Sequence, residues 1–379
     1  MLAKIAFVTT AHSGFDDRIF YHQAKSLADK NFQTLIISSF DEGEYNSVNI
    51  NVVGFKGDSI TKIEKVRKIQ TLLTEFDPEI IICSEPLAVI AANKYRKSEK
   101  LKVKIIYDIT EWYPSKKNLL GTSGIKRITT ILKLSVFNLF ASGFVNGFIF
   151  GERYKKFPYK LLFPFKKSIQ ITYFTDLKYI SYTVPTPHNY ICLGYTGKIS
   201  AEKGIFNFIN SIKILNHLKP ELLVKLKIIG WFQDKTEEEK IINQIKGLNV
   251  VSIDILELQK FEEFSKAIQD VDIFFDLRYT DFENQHCLPI KLFYYAACGR
   301  PVIYSNLKAI RKEVDISSFG HLVEPENSNE IAKIIANYAE NNDYYMTHCF
   351  NARNLAETKY NWSIIEPSFL NFINELLKK

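Results

Sequence analysis

The stretch NQHCLPIKLFYYAACGRPVIYSN, residues 284–306, gathers His286, Cys287, Lys291, Tyr294 and Tyr295 around Pro289. It reads as a loop ending at Pro289, a short helix carrying Lys291, Leu292 and Phe293, a Cys-Gly turn, and a buried strand from Pro301 to Tyr304. A helix that begins just after a proline presents free backbone N–H groups and the positive end of its dipole, where a diphosphate is most easily held. The stretch is therefore a candidate anion site.

The elements that must position it follow a repeating cycle. Strand Lys4 to Thr9 runs into the loop HSGFDDR and a helix from Ile19 to Lys30. Strands are expected at 33–38, 51–55, 80–84 and 104–108, with helices at 59–75 and 87–97. Parallel strands linked by helices give a doubly wound sheet whose ligands lie beyond the carboxyl ends of the strands. His12, Gly14, Asp16, Asp17 and Arg18 lie at such an end. The proline-rich stretch from Tyr179 to Asn189 suits a linker. Beyond it a second series starts: strand Tyr190 to Thr196, the loop GKISAEKG, helix Ile205 to Leu218, strand Val224 to Gly230, and so on to a last helix, Trp362 to Leu377, after a break at Asn361. Two such halves imply a cleft, where ligands are usually held.

A chain of 379 residues is too long for one ordinary core and points to two domains. Its formal charge is +7, and from Lys116 to Gln170 eleven Lys or Arg face one acid, Glu152. There, YKKFPYKLLFPFKK alternates aromatic and apolar residues with lysines. Two readings stand: a solvated helix face with a core side, or a patch for anionic lipid. No nucleic-acid-reading motif accompanies the charge. The N-terminus enters a strand pattern without the regions of a signal peptide, which points to the cytoplasm. The uncharged run Leu134 to Phe150 is interrupted by Asn138, Ser142, Gly143, Asn146 and Gly147, and reads as a helix followed by a buried strand. The five cysteines, with no CxxC, read as buried thiols.

Four local patterns together resemble the family 4 glycosyltransferases of the GT-B fold. They are DDRIF behind the first strand; YDITEWYP, similar to YDxHExxP; GKISAEKG, similar to G[RK]LSxEKG; and ENQHCLPIKLFYYAACGRPVI, similar to ENxxxxLPxKLFEYMAxGxPVI. The resemblance implies two Rossmann-like doubly wound domains facing a cleft. Residues 1–180, completed by the helix 362–379, would hold the acceptor, and residues 190–360 the nucleotide sugar.

It further implies retaining transfer of a sugar from a nucleoside diphosphate to a glycan or lipid-linked acceptor in surface glycan biosynthesis. The setting would be cytoplasmic, peripheral to the inner membrane face, with the basic segment 116–170 on anionic lipid. No metal or other cofactor is expected and no nucleic acid. Lys198 and Lys203 would place two ammonium groups on the diphosphate and stabilise the departing charge; the alternative is two exposed lysines at a helix start, where positive charge is unfavourable. Gly14, Gly197, Gly230, His286, Leu288, Pro289, Ile290, Lys291 and Tyr294 complete the expected donor site. Gly230 would let a nucleotide approach the backbone or would be a turn glycine.

The departures concern acids and a histidine. Where the pattern has two glutamates eight positions apart, this chain has His286 and Tyr294, and tyrosine cannot accept from both ribose hydroxyls as a carboxylate does. Thr110 stands at the histidine of YDxHExxP, so His12 is the candidate to take its place, with Glu111 retained. These changes leave open a second reading, a catalytically degenerate homologue acting as a binding or partner subunit. A sugar-nucleotide epimerase of the same fold would need an acid and base pair that is not evident.

Overall fold

A computed structural model describes residues 3–99, 102–186 and 189–378. The run KIAFVT forms β1 (Lys4–Thr9), buried along all but its first residue. A strand apolar on both sides belongs inside a parallel sheet covered on both faces. Asp16 caps the helical segment that follows, accepting from the N–H groups of Arg18 and Ile19. That segment is wound as a π-helix over Asp17–Ala24 before it tightens into α1 (Lys25–Asp29).

The chain then alternates through β2 (Gln33–Ser38), β3 (Gly43–Ser47), β4 (Ile50–Gly54), α2 (Lys62–Phe76), β5 (Ile80–Cys83), α3 (Pro86–Ser98), β6 (Lys104–Ile109), α4 (Gly124–Gly143), β7 (Gly147–Phe150), α5 (Arg153–Leu162) and β8 (Lys167–Gln170). Their sheet order is β3-β4-β2-β1-β5-β6-β7-β8, antiparallel only between β3 and β4. The run 134–150 is a helix and then a buried strand, as its interruptions imply. Among the described residues no helix is long and apolar enough to cross a membrane.

The second series comprises β9 (Tyr190–Ile199), α6 (Ile205–Leu218), β10 (Leu223–Phe232), α7 (Lys235–Lys246), β11 (Ser252–Glu257), α8 (Phe261–Ala267), β12 (Ile273–Asp276), α9 (Phe282–Gln285), α10 (Lys291–Ala297), β13 (Val302–Ser305), α11 (Lys308–Glu313), β14 (Gly320–Val323), α12 (Ser328–Glu340), α13 (Asn342–Thr358) and α14 (Trp362–Leu377). Its six strands are all parallel in the order β11-β10-β9-β12-β13-β14.

By its internal contacts the chain forms unit 1, Met1–Tyr173 with Ile365–Lys379, and unit 2, Phe174–Ile364. Each is Rossmann-like, with its first strand central and the order reversing beside it. The expected linker is not a free tether where it is described. Ser181 N–H donates to Ser265 Oγ at 2.7 Å and the Tyr182 ring packs on Gly299 and Arg353, so this segment is part of unit 2. Pro187 and His188 of that linker lie outside the described residues.

Candidate functional site

Strand order brings together the residues that follow β1 and β5 in unit 1. After β1 the chain turns through His12, and after β5 it reaches Glu85. His12 Nδ1 lies 3.4 Å from Asp16 Oδ2 and Nε2 lies 3.6 Å from Glu85 Oε1. Glu85 also accepts from Thr9 Oγ1 at 2.8 Å and from the Thr10 N–H at 2.7 Å. Burial opposes a charge on His12, but Asp16, Glu85 and more distant Glu111 outweigh it and raise its pKa to about 10. Asp16 is held low chiefly against burial by His12, while burial pushes Glu85 up despite its bonds. At neutral pH His12 is thus an imidazolium donor rather than a base. Glu111 itself is exposed.

Gly14 has a packing explanation: a Cβ there would meet Val52 Cγ1 at 2.6 Å, and its N–H donates to Asp41 at 3.2 Å. At Thr110 the backbone carbonyl accepts from Tyr173 OH at 2.7 Å and from Lys155 Nζ, while the buried Oγ1 has no hydrogen-bond partner.

In unit 2 the ends of β9 and β12 converge in the same way. Asp276, closing β12, is buried and bound by Arg278: Nε donates to Oδ1 at 2.7 Å and Nη2 donates to Oδ2. Tyr304 OH donates to Oδ2 at 2.7 Å, and Lys291 Nζ lies 3.5 Å from it. Against the cost of burial, these partners hold the Asp276 carboxyl well below the usual range. Lys291 also donates to the Thr196 carbonyl, crossing under Gly197, where a Cβ would meet its Nζ at 3.0 Å. Gly197 has φ +95°, the left-handed region that suits glycine.

Lys198 lies 3.8 Å from Glu202, and Tyr195 OH lies 3.2 and 3.1 Å from the Lys198 and Lys203 carbonyls, fixing the loop from inside. Burial, then the nearby Arg278, lower the Lys203 pKa. Burial likewise lowers Lys291 to about 8; Asp276 opposes this, while Arg278 and Lys203 add to it. Lys198, Lys203, Arg278 and Lys291 face two carboxylates, the buried Asp276 and the partly exposed Glu202 beside Lys198 and Lys203, so the cluster carries an excess of positive charge. An anion placed there would relieve it.

Other expected donor residues serve the frame. Gly230 is neither a turn nor an open approach: β10 continues through it to Phe232, and a Cβ there would lie 1.8 Å from the Gly197 carbonyl oxygen on β9. The residue is glycine because two strands touch. Leu288 and Pro289 are buried, and Ile290 packs against the same core, so the three seat α10. Tyr294 is 4% exposed, its ring against Phe261 and Phe264. His286 Nδ1 is 2.8 Å from the Phe282 carbonyl and its ring lies over Phe282. α10 is the short helix expected, seven residues long, but the Leu292 and Phe293 N–H groups donate to the Pro289 and Ile290 carbonyls instead of standing free for an anion. The positive charge at this site therefore comes from side chains more than from a dipole.

Asp276, Arg278, Tyr304 and Glu85 were not among the residues the sequence singled out. The signal for them was present: FFDLRY sets two charges at the end of an apolar strand, and Glu85 follows IIIC, each where a parallel sheet places ligands. Among the described residues no group of three or more His, Cys, Asp or Glu side chains is placed to hold a metal ion.

Residues 183–355 match the family model described as Glycosyl transferases group 1. The whole chain is similar in structure to sucrose-phosphate synthase from Thermosynechococcus elongatus, with TM-score 0.76 at 14% identity, covering 99% of each chain. A glycosyltransferase from Rickettsia africae gives TM-score 0.70 at 15% identity, covering 100% of this chain and 99% of that one. Anabaena HepE in complex with UDP-glucose gives TM-score 0.69 at 15% identity, covering 98% and 99%. No curated protein matches the chain. The architecture is GT-B, and the group 1 pattern falls on the unit that carries the cationic cluster.

Proposed function

We propose that the protein is a glycosyltransferase that moves a sugar, with retained configuration, from a nucleoside diphosphate to a lipid-linked or polysaccharide acceptor at the cytoplasmic face of a membrane. The observation that carries this is the excess of cations over carboxylates at the ends of β9 and β12: Lys198, Lys203, Arg278 and Lys291 against Asp276 and Glu202. A diphosphate there would raise the depressed lysine pKa values, and its developing negative charge on departure would meet preorganised cations. Lys198 and Lys203 are the groups assigned to it. The backbone from Leu288 to Lys291, with Gly197, forms the rest of the donor frame. His12 and Glu111 are assigned to unit 1 as the groups that face the acceptor chemistry, His12 as a proton donor or fixed positive charge. The structurally similar HepE was crystallised in complex with UDP-glucose, which supports the donor class.

Calorimetry with UDP tests the reading. Lys198→Ala and Lys203→Ala should each weaken binding about tenfold or more; no change in either removes the phosphate assignment.

A second reading is favoured by Tyr294. Its ring is sealed against Phe261 and Phe264 where the resembling pattern has an acid, as expected of a homologue that has kept the fold and lost turnover. Transfer and hydrolysis assays across a panel of sugar nucleotides separate the two; turnover that disappears in Lys203→Ala excludes the degenerate subunit.

A further inference from the structure

After β1 the chain folds back over its own sheet. Asp41, in the loop after β2, accepts from Ser13 Oγ and from the Gly14 N–H, and Gly14 lies on Val52 of β4 where only a missing side chain fits. Tyr45 of β3 stands opposite Val52 in the sheet. Phe15 is thereby brought against Tyr45, with ring centroids 5.7 Å apart and planes at 79°. Both rest on Phe20, at 5.1 and 5.7 Å.

Packing seals the lower ring and leaves the upper two open. Phe20 is 3% exposed, whereas Phe15 and Tyr45 are 41 and 39% exposed. Because Asp41 and Gly14 fix the loop, the two open rings are held in place before any ligand arrives. The residue after Phe15 is Asp16, whose carboxylate lies 3.4 Å from His12 Nδ1. The rings are therefore continuous with the site of unit 1.

Charge decides the occupant. Residues 11–17 and 39–47, which build this surface, hold five acids, Asp16, Asp17, Asp41, Glu42 and Glu44, and no Lys or Arg. Arg18 is buried in its pair with Asp108, and Lys25 Nζ lies 5.3 Å from the Phe20 ring. Such surroundings disfavour an anionic ligand. A neutral pyranose complements them: one face of polarised C–H groups is drawn to the negative face of an aromatic ring, and its hydroxyls can donate to carboxylates.

We propose that Phe15 and Tyr45 form a stacking platform for a neutral sugar unit of the acceptor, with the surrounding carboxylates excluding acidic sugars. The inference rests on the glycosyltransferase reading and narrows it, since the acceptor must then present a neutral saccharide to this part of unit 1.

Saturation-transfer NMR titration of the full chain with methyl β-glucoside, methyl β-galactoside and methyl β-glucuronide tests it. Ring C–H signals are expected from at least one neutral glycoside, and the glucuronide should bind about fivefold more weakly than the glucoside. Phe15→Ala and Tyr45→Ala should each weaken binding of the neutral glycoside roughly fivefold. Tyr45→Phe keeps the ring and should bind as the wild type does, and Phe350→Ala, at an exposed ring of unit 2, should change nothing. No saturation transfer from either neutral glycoside, equal binding of the glucuronide, or full binding in both alanine variants overturns the proposal. Tighter binding of tetramethylammonium than of either glycoside also overturns it, assigning the rings and acids to a cation. The comparison of glycosides on the wild-type chain decides the matter even where an alanine variant does not fold. Calorimetry with UDP on the same samples separates the two readings: UDP bound without a glycoside removes this platform alone, and neither bound removes the glycosyltransferase reading with it.

Discussion

Arg18 grips Asp108 across ninety residues of sequence: Nε and Nη2 donate to the two carboxylate oxygens, each at 2.8 Å, with both side chains almost wholly buried. Gln23 adds a bond to the same carboxylate at 2.7 Å, and Arg18 Nη1 reaches the Ile171 carbonyl at 2.9 Å. Arg18 belongs to DDRIF and Asp108 to YDITEWYP, so two patterns that look independent in the sequence are halves of one ion pair. The pair ties the segment after β1 to the end of β6.

Removing one partner of such a pair leaves a buried charge alone. Arg18→Ala should cost about 3–5 kcal/mol of unit 1 stability, and Arg18→Met combined with Asp108→Leu much less than the single change. Urea denaturation of the single and double variants checks this. A double variant as unstable as Arg18→Ala would mean that Arg18 acts through Ile171 and Tyr173 instead.

His12 gives stability a pH dependence. Its folded pKa is raised to about 10 from an ordinary 6.5, so the stabilisation is fully present below about 6.5 and is lost as pH rises through 10. Denaturation measured between pH 6.5 and 10 should show stability falling in the wild type, with a shallower fall in His12→Gln. An unchanged slope in the variant would show that other groups govern this range.

How much of this was legible in the sequence depended on whether a residue acts locally or across the sheet. The continuous apolar run of KIAFVT and the helical pattern of 205–218 yield β1 and α6 with the bounds observed, because a strand covered on both faces and a helix packed on a sheet leave those signatures. Strands β3 and β8 were not read: GEYNS is exposed along its length and KSIQ is half-buried, so neither carries an apolar run. The loop GKISAEKG was legible as a site, but its partners Asp276 and Arg278 come from another strand, and only the order β9-β12 places them together. Gly230 was legible as unusual and not in its reason, which is the Gly197 carbonyl on the neighbouring strand.

That close contact makes a direct test. Gly230→Ala places a methyl 1.8 Å from backbone oxygen, and at Gly204, with φ +84°, a Cβ would lie 1.9 Å from the Leu277 carbonyl oxygen. Neither neighbour is the end of a flexible side chain, so the backbone must shift at each site. Each substitution should cost about 2 kcal/mol or more, read as a lower midpoint in thermal unfolding. Gly247→Ala, whose Cβ meets nothing closer than 3.5 Å, should be near neutral, and similar losses at all three sites would refute the packing explanation.

Lys291 links protonation to ligand binding. Burial and its cationic neighbours hold its pKa near 8 in the free protein, and a bound diphosphate would raise it by adding negative charge beside it. The protonated form binds, so affinity for UDP should be level below pH 7 and decline as pH passes 8. Binding should take up protons near pH 8, visible in calorimetry as a heat that changes with the buffer's ionisation enthalpy. Lys291→Met should bind more weakly and lose most of that uptake, while Lys203, also depressed, supplies what remains. If proton uptake persists in full without Lys291, the anion does not sit beside this lysine, and the donor phosphates must be assigned to the Lys198 side of the loop.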